Sequence, residues 1–240
     1  MMMKCAHRLA SPLVLSCVVL LGGLGGCAKT QQMHEPLKTG FLGDYSMLRP
    51  GQEGEALLVY KNPKVDWKSY DKAMVDSVTI WRDKDSPLKE EWKADLQRLA
   101  DYAWDKIVKA LMPNYTIVSK SGPGVMRVTV AITEAEASNP TMDTISSVLP
   151  PARVLTGTKG VVGEGKPGFA GAASIEAKIT DAQTGELLMA GVDRRAGTKS
   201  LSGSTDSWSD VEEAYQYWAK KLKYRLCRER GEMGCIEPEE

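Results

Sequence analysis

The residues that could do chemistry are five cysteines, two histidines and one glycine-rich stretch ending in a lysine. A Ser–His pair would need a histidine in the folded part. His7 lies in an apolar leader and His34 in a polar segment, and no Gly-x-Ser-x-Gly elbow is present, so acyl transfer through a serine is a poor reading. Gly160-Val-Val-Gly-Glu-Gly-Lys166-Pro167 comes within one residue of a phosphate-binding loop. Such a loop needs Ser or Thr after the lysine to hold magnesium, and a helix whose N-terminus faces the phosphate. Pro167 has no hydroxyl, and the strand-like 169–177 follows, so nucleotide binding is not expected. Gly163-Glu-Gly-Lys-Pro-Gly168 fits a dinucleotide fingerprint in letters only, because the flanking strand and helix are missing. The 31 acidic residues leave a carboxylate pair open, but none has a distinguishing context. Asp193-Arg194-Arg195 is the most unusual charged cluster. It reads as a structural ion-pair network, with a partner contact as the alternative.

The thiols carry the sharper reading. Residues 1–8 hold Lys4 and Arg8 and no acid, and 13–24 form an apolar run of 12 residues. A membrane-spanning helix needs about 20. A basic start, a short apolar core and small residues at the exit describe a secretory signal. Its end, Leu24-Gly25-Gly26-Cys27, resembles the lipobox of bacterial lipoproteins, in which an aliphatic residue and two small ones precede a Cys. That resemblance implies cleavage before Cys27, diacylglycerol on its sulfur and an acyl chain on its new amine. A cleaved soluble protein with a chance Cys is the competing reading. One acyl chain gives marginal membrane binding and each buried methylene adds about 0.8 kcal/mol, so three chains would anchor the protein durably. Ala28, rather than Asp, follows the Cys. By resemblance to the enteric sorting rule, this implies the outer membrane, with the domain facing the periplasm.

Cys5 and Cys17 leave with the signal, and lipid uses Cys27. Cys227 and Cys235 remain, separated by a polar loop with two glycines. In an oxidising periplasm they are expected to pair as a disulfide. A two-Cys metal site is the alternative, disfavoured because no His lies near. No metal and no cofactor is expected.

The expected organisation is a cleaved signal over 1–26, a lipidated tether over 27–40 and one domain over 41–240. Segment 28–40 is polar, contains Pro36 and shows no hydrophobic period. As a tether it would let the domain stand off the bilayer. The full chain has 31 basic and 31 acidic residues; without the signal, 29 basic face 31 acidic. A nucleic-acid binder working through a basic field is thereby excluded.

The elements that would position any site follow from period. Segments 56–60 and 73–81 read as strands. Ser86-Pro87 reads as a helix start. Leu88, Trp92, Leu96, Leu99, Ala103, Ile107 and Leu111 then fall at steps of three or four, and Pro113 stops the run. Segments 115–119 and 125–137 read as a hairpin around Ser-Gly-Pro-Gly124, and 169–180 with 186–196 as a second around 181–185. A last helix starts near Ser209, which with Glu212 has capping-box spacing. Val211, Tyr215, Trp218, Leu222 and Leu226 line one side, and five cations from Lys220 to Arg228 crowd its second half, read as a solvated face with an anionic-lipid patch as the alternative. The order predicts an α+β two-layer domain: a mostly antiparallel sheet of five or six strands with two amphipathic helices on one face. The proline- and glycine-rich stretch 138–168 does not fit that plan. It reads either as a functional loop or as a surface excursion.

Three blocks carry a resemblance. Phe41-Leu-Gly-Asp-Tyr-Ser-Met-Leu48, Thr180-Asp-Ala-Gln-Thr-Gly-Glu-Leu-Leu188 running into Val192-Asp-Arg-Arg-Ala-Gly197, and Trp208 with Glu213-Ala-Tyr-Gln-Tyr-Trp-Ala219 are together similar to the proteobacterial lipoproteins grouped as domain of unknown function 3313. The resemblance spans 41–226 and implies no activity or catalytic residue. It adds to the expectation of a non-enzymatic envelope protein that contacts a protein partner or itself through 138–168 and the sheet edges. The alternative is a periplasmic lipoprotein that binds a small ligand or cell-wall glycan; aromatic side chains converging on a deep pocket would favour it.

Overall fold

Apolar alternation and helical period organise the chain around three long strands and two long helices. The computed structural model describes residues 30–82, 88, 92–138, 161–162, 166–167, 170–197 and 206–239. The short strands are β1 (Thr30–Gln32), β2 (Arg49–Pro50), β3 (Leu58–Lys61), β4 (Lys72–Val75), β5 (Thr79–Ile80) and β6 (Thr116–Ile117). β7 (Val125–Glu136) is long; β8 (Val161–Val162) and β9 (Lys166–Pro167) form a separate two-stranded ribbon. β10 (Ala172–Asp181) and β11 (Leu187–Gly197) complete the sheet, and the helices are α1 (Lys93–Leu111) and α2 (Ser209–Glu229).

The main sheet has nine strands in the order β2-β3-β11-β10-β7-β4-β6, with β1 beside β11 and β5 beside β7. This is an α+β fold with a mostly antiparallel sheet, larger than the expected five or six strands. The β10–β11 hairpin forms as its turn chemistry predicts. Asp181 Oδ1 accepts from the Gln183 and Thr184 N–H groups at 2.9 and 2.7 Å, and Gly185 takes the positive φ of 76° that closes the turn.

The other expected hairpin is not there. β4 lies between β6 and β7 and pairs with both in parallel. β6 and β7 therefore run the same way, and 118–124 cannot be a hairpin turn. A parallel pair needs a crossover, and α1 supplies one between β4 and β6. The expected single strand over 73–81 is split into β4 and β5, which pair with successive stretches of β7.

The helix limits also differ from expectation. Leu88 is buried but not helical, and α1 begins at Lys93 with Trp92 at its N-cap. The Trp92 ring meets Trp208 edge-on at 5.4 Å, tying the starts of the two helices together. The Ser209–Glu212 capping box does not form. Ser209 is the first helical residue of α2, its hydroxyl donates to the Asp206 carbonyl, and Glu212 pairs instead with Arg98 of α1. Asp206 takes the capping work by accepting from the Trp208 N–H at 2.9 Å.

The stripe Leu96, Leu99, Ala103, Ile107 and Leu111 of α1 is buried as its spacing requires. It shares one hydrophobic cluster with Val211, Ala214 and Tyr215 of α2 and with Met126, Val128, Val130 and Ile132 of β7.

The opposite register of the sheet is also buried, and here the chain departs most from expectation. Ala131, Glu176 and Val192 stand side by side across β7, β10 and β11, and each is fully buried. The segment expected to hang free as a tether makes the contacts. β1 pairs with the end of β11, Met33 packs with Ala172 and Ala196, and the backbone around Thr39 and Leu42 closes over Glu176. Glu176 Oε1 accepts from the Thr39 N–H and hydroxyl at 2.6 and 2.9 Å, and Oε2 from the Leu42 N–H and Tyr45 hydroxyl at 3.1 and 2.5 Å. Trp81 adds an indole N–H to the Thr39 carbonyl and an edge contact to Phe41. A polar segment without hydrophobic period can dock this way because a buried carboxylate, rather than apolar area, receives its backbone.

Candidate functional site

Between the sheet and α2 lies a cavity of about 210 Å³. An apolar cavity of about 150 Å³ already accepts benzene. Its floor is unusual for the centre of a sheet. Ile175 and Ala177 of β10 point toward the helices, yet both are only half-buried. They face this opening, where a fully packed core would have covered them. Val128 and Val130 of β7 and Met189 of β11 extend the floor, and Tyr215, Trp218 and Leu222 of α2 form the wall.

Asp193 stands at the inner end. Its carboxylate is buried, and burial raises its pKa, while hydrogen bonds from Trp218 and Gln32 and the charge of Arg195 pull the other way. Oδ2 accepts from the Trp218 indole at 2.6 Å; Oδ1 accepts from Gln32 Nε2 at 2.6 Å and the Leu57 N–H at 3.2 Å. The neighbours of Asp193 alternate across the sheet as strand geometry requires. Arg195 lies with its guanidinium 3.7 Å from the Tyr217 ring centre and donates to the Thr30 hydroxyl and carbonyl at 2.6 and 3.0 Å. Arg194 points the other way and grips Glu134 with two bonds of 2.6 and 2.7 Å. The cluster thus ties β1, β7, β11 and α2 together, which agrees with its reading as a structural network.

Ion pairs ring the mouth. Glu55 meets Arg49 at 2.7 Å and Arg225 at 3.0 Å, and Lys61 meets Glu229 at 3.1 Å. Burial raises the Glu55 pKa, but hydrogen bonds from Arg49, the Gln52 N–H and Arg225, with the charge of Arg225, outweigh it and hold the carboxyl at about 2. Lys221 is buried and pairs with Glu237. The second half of α2 is therefore not a uniformly solvated cationic face.

Tyr215 carries a sealed, unsatisfied hydroxyl. It is fully buried, and among the described residues its hydroxyl has no hydrogen-bond partner. Burial, reinforced by the charge of Glu134, pushes its pKa well above the usual phenol value, so it remains a neutral donor. The sequence places Tyr215 on the apolar stripe of α2 but gives no sign that its oxygen lacks a partner. Gln32, too, was not legible as part of the site, because a polar segment ahead of the domain carries no pairing signal. Glu176 fits the polar positions of an alternating strand, which would ordinarily face water.

Of the residues singled out by sequence, Cys27 lies outside the described residues, as does most of 138–168, including the lysine-bearing loop apart from the short β8 and β9. Cys227, in the last turn of α2, and Cys235, beyond its end, are bonded, with Cα atoms 5.8 Å apart. They lie among contacts of 114 and 232 rather than in the cavity. Among the described residues no helix is long and apolar enough to cross a membrane.

A family model described as protein of unknown function (DUF3313) matches residues 37–222. No curated protein matches the chain. Among solved structures, a PelC dodecamer from Paraburkholderia phytofirmans is 11 % identical, covering 69 % of this chain and 94 % of its own, with a TM-score of 0.37. Protein XCC0632 from Xanthomonas campestris, of family-model DUF330, is 15 % identical, covering 68 % and 87 %, with a TM-score of 0.37. The hypothetical protein CT253 from Chlamydia trachomatis is 13 % identical, covering 66 % and 92 %, with a TM-score of 0.30.

Proposed function

We propose that this chain, which belongs to the DUF3313 family, is a lipid-anchored protein of the Gram-negative envelope, held at the outer membrane facing the periplasm and acting without catalysis as an interaction module. The observation that carries this is the continuity of anchor signal and fold. The lipobox ends at Cys27, and β1 is paired to β11 from Thr30. Three residue steps span at most about 11 Å. A lipidated Cys27 would hold the domain close against the membrane, with the β1 end nearest the lipid and the disulfide end away from it. In this compartment the Cys227–Cys235 bond would persist. Burial of α1 and α2 residues in one cluster with the same register of β7 supports both helices lying on a single sheet face. The partner is an envelope protein or a second copy.

The test is metabolic labelling with an alkyne-tagged palmitate followed by membrane fractionation. The natural chain should take up label and sediment with outer membranes. Cys27→Ser should lose both. Label-free protein that still fractionates with membranes would overturn the anchor.

The cavity favours a second reading, a lipoprotein that holds a small ligand. Half-exposed Ile175 and Ala177 at the centre of the sheet, walled by Tyr215 and Trp218, are the aromatic-lined pocket that this reading requires.

A further inference from the structure

We propose, resting on the ligand-holding reading, that the cavity beneath α2 takes a single-chain anionic amphiphile, a medium-length alkyl carboxylate whose chain lies on the apolar floor and whose head sits between Arg49 and Arg225 at the mouth.

The chain follows from the floor. Ala177 of β10 is paired with Gly191 of β11, so two neighbouring floor positions carry one methyl group between them. Ile175 and Met189 flank that gap and would gain contacts only from carbon. Benzene, with six carbons, fits an apolar cavity of about 150 Å³. By the same scale the 210 Å³ here holds roughly eight carbons, one short chain and not the two long ones of a membrane lipid.

The head follows from the five cations that line the cavity. Lys178 stands between the floor residues Ala177 and Ile179 and so points to the other sheet face, where its ammonium lies 5.5 Å from the Phe41 ring centre. Lys61 is matched by Glu229, with both carboxylate oxygens at 3.1 Å, and Lys221 by Glu237. Arg49 and Arg225 share the one carboxylate of Glu55, so this trio keeps a surplus positive charge. A guanidinium has five N–H groups. Among the described residues Arg49 spends three of them, two on Glu55 and one on the Pro50 carbonyl, and Arg225 spends two, on Glu55 and the Gly54 carbonyl. The remaining donors suit a second carboxylate.

Asp193 sets the direction of entry. Its buried carboxylate at the inner end repels an anion, which keeps the head at the mouth. Its two oxygens already receive three donors, so a hydrocarbon end beside them breaks no hydrogen bond. A cationic head would face the arginine surplus and find Glu55 and Glu229 already committed.

Three probes share one chain and differ in the head: octanoate, 1-octanol and octylammonium. The readout is the methyl resonances of Ile175, Ala177, Ile179 and Met189 in protein labelled at those groups, titrated with each probe at low salt. Octanoate should bind about fivefold more tightly than octanol, the scale of one solvent-exposed ion pair, and octylammonium more weakly than either. The gap should close in about 1 M salt. In Arg49→Gln octanoate should fall to the octanol level while octanol is unchanged, which general damage to the fold would not produce. In Ala177→Leu, whose side chain fills the floor, all binding should be lost. In the natural chain the terminal methyl of bound octanoate should show cross-relaxation to the Ile175 and Ala177 methyls, a measurement that stands even where Ala177→Leu does not fold.

Octanoate no tighter than octanol, or undiminished in Arg49→Gln, overturns the assignment of the head and leaves the cavity as a ligand site. Undiminished binding in folded Ala177→Leu, no cross-relaxation to the floor, or no methyl moved by any probe overturns the ligand-holding reading itself.

Discussion

Replacing Glu176 by Gln tests whether one buried carboxylate holds the N-terminal segment on the sheet. The side chain is fully buried and receives four donors, two on each oxygen. An amide of the same shape keeps its oxygen for the Thr39 pair and turns its NH₂ toward Leu42 and Tyr45. The Tyr45 hydroxyl can rotate to accept. The Leu42 N–H cannot, and is left facing another donor. Hydrogen bonds to a charged group contribute about 1.5–3 kcal/mol each and neutral ones about half that; an orphaned buried donor costs about 1–3 kcal/mol. Against this, the neutral variant no longer buries a charge. The donors outnumber that single relief, and the expected net loss is about 2–3 kcal/mol in urea denaturation. Amide hydrogen exchange at Thr39 and Leu42 should accelerate more than exchange in α1. A variant within 0.5 kcal/mol of the parent, or more stable than it, would refute the reasoning: desolvation would then outweigh the donors, and apolar contacts such as Met33 and Phe41 would hold the segment.

Three further outcomes follow from the geometry. The folded Glu55 carboxyl is held at about 2, below its ordinary 4.5, so its contribution is complete above about pH 4.5 and fades as pH falls toward 2; after allowance for solvent screening, Glu55→Gln should cost about 1–2 kcal/mol at neutral pH and flatten that part of the acid-unfolding curve. Opening the Cys227–Cys235 bond with a reductant should lower stability by about 2–3 kcal/mol, the chain-entropy value for so short a loop, measured by comparing urea midpoints of the oxidised and reduced protein. A Cβ at Gly197 would sit 2.2 Å from Asp210 Cγ, and the same carboxylate accepts from the Gly171 N–H at 2.8 Å; Gly197→Ala should therefore displace Asp210 and cost about 1–3 kcal/mol in thermal unfolding.

The helices and the β10–β11 hairpin were legible because their signals are local. A stripe such as Leu96-Leu99-Ala103-Ile107 specifies a face, and Asp181 with Gly185 specifies a turn whatever surrounds them. What could not be read depends on partners far apart in sequence. Ser-Gly-Pro-Gly124 has the composition of a hairpin turn, but nothing in it tells that β4 will slot between β6 and β7. That choice belongs to α1 as a crossover and to the Gly124 carbonyl, which accepts from the Asp71 and Lys72 N–H groups at 3.2 and 3.1 Å. The segment 30–40 looked like a tether because Thr39 is held by a carboxylate 137 positions away, and hydrophobic period is blind to that. The cavity was hidden for the opposite reason. Ile175, Ala177 and Tyr215 carry the signature of a packed interior, and the sequence cannot report that their neighbours leave a gap.

β1 and β11 bear on the timing of assembly. Thr30 is held by Arg195, 165 positions later, and the strand that receives it is the last one among the described residues. During synthesis from the N-terminus, the opening residues have nowhere to dock until almost the whole domain has emerged. The stretch around Thr30 therefore stays unpaired throughout that interval. Once β11 is in place, the same stretch is drawn into the sheet.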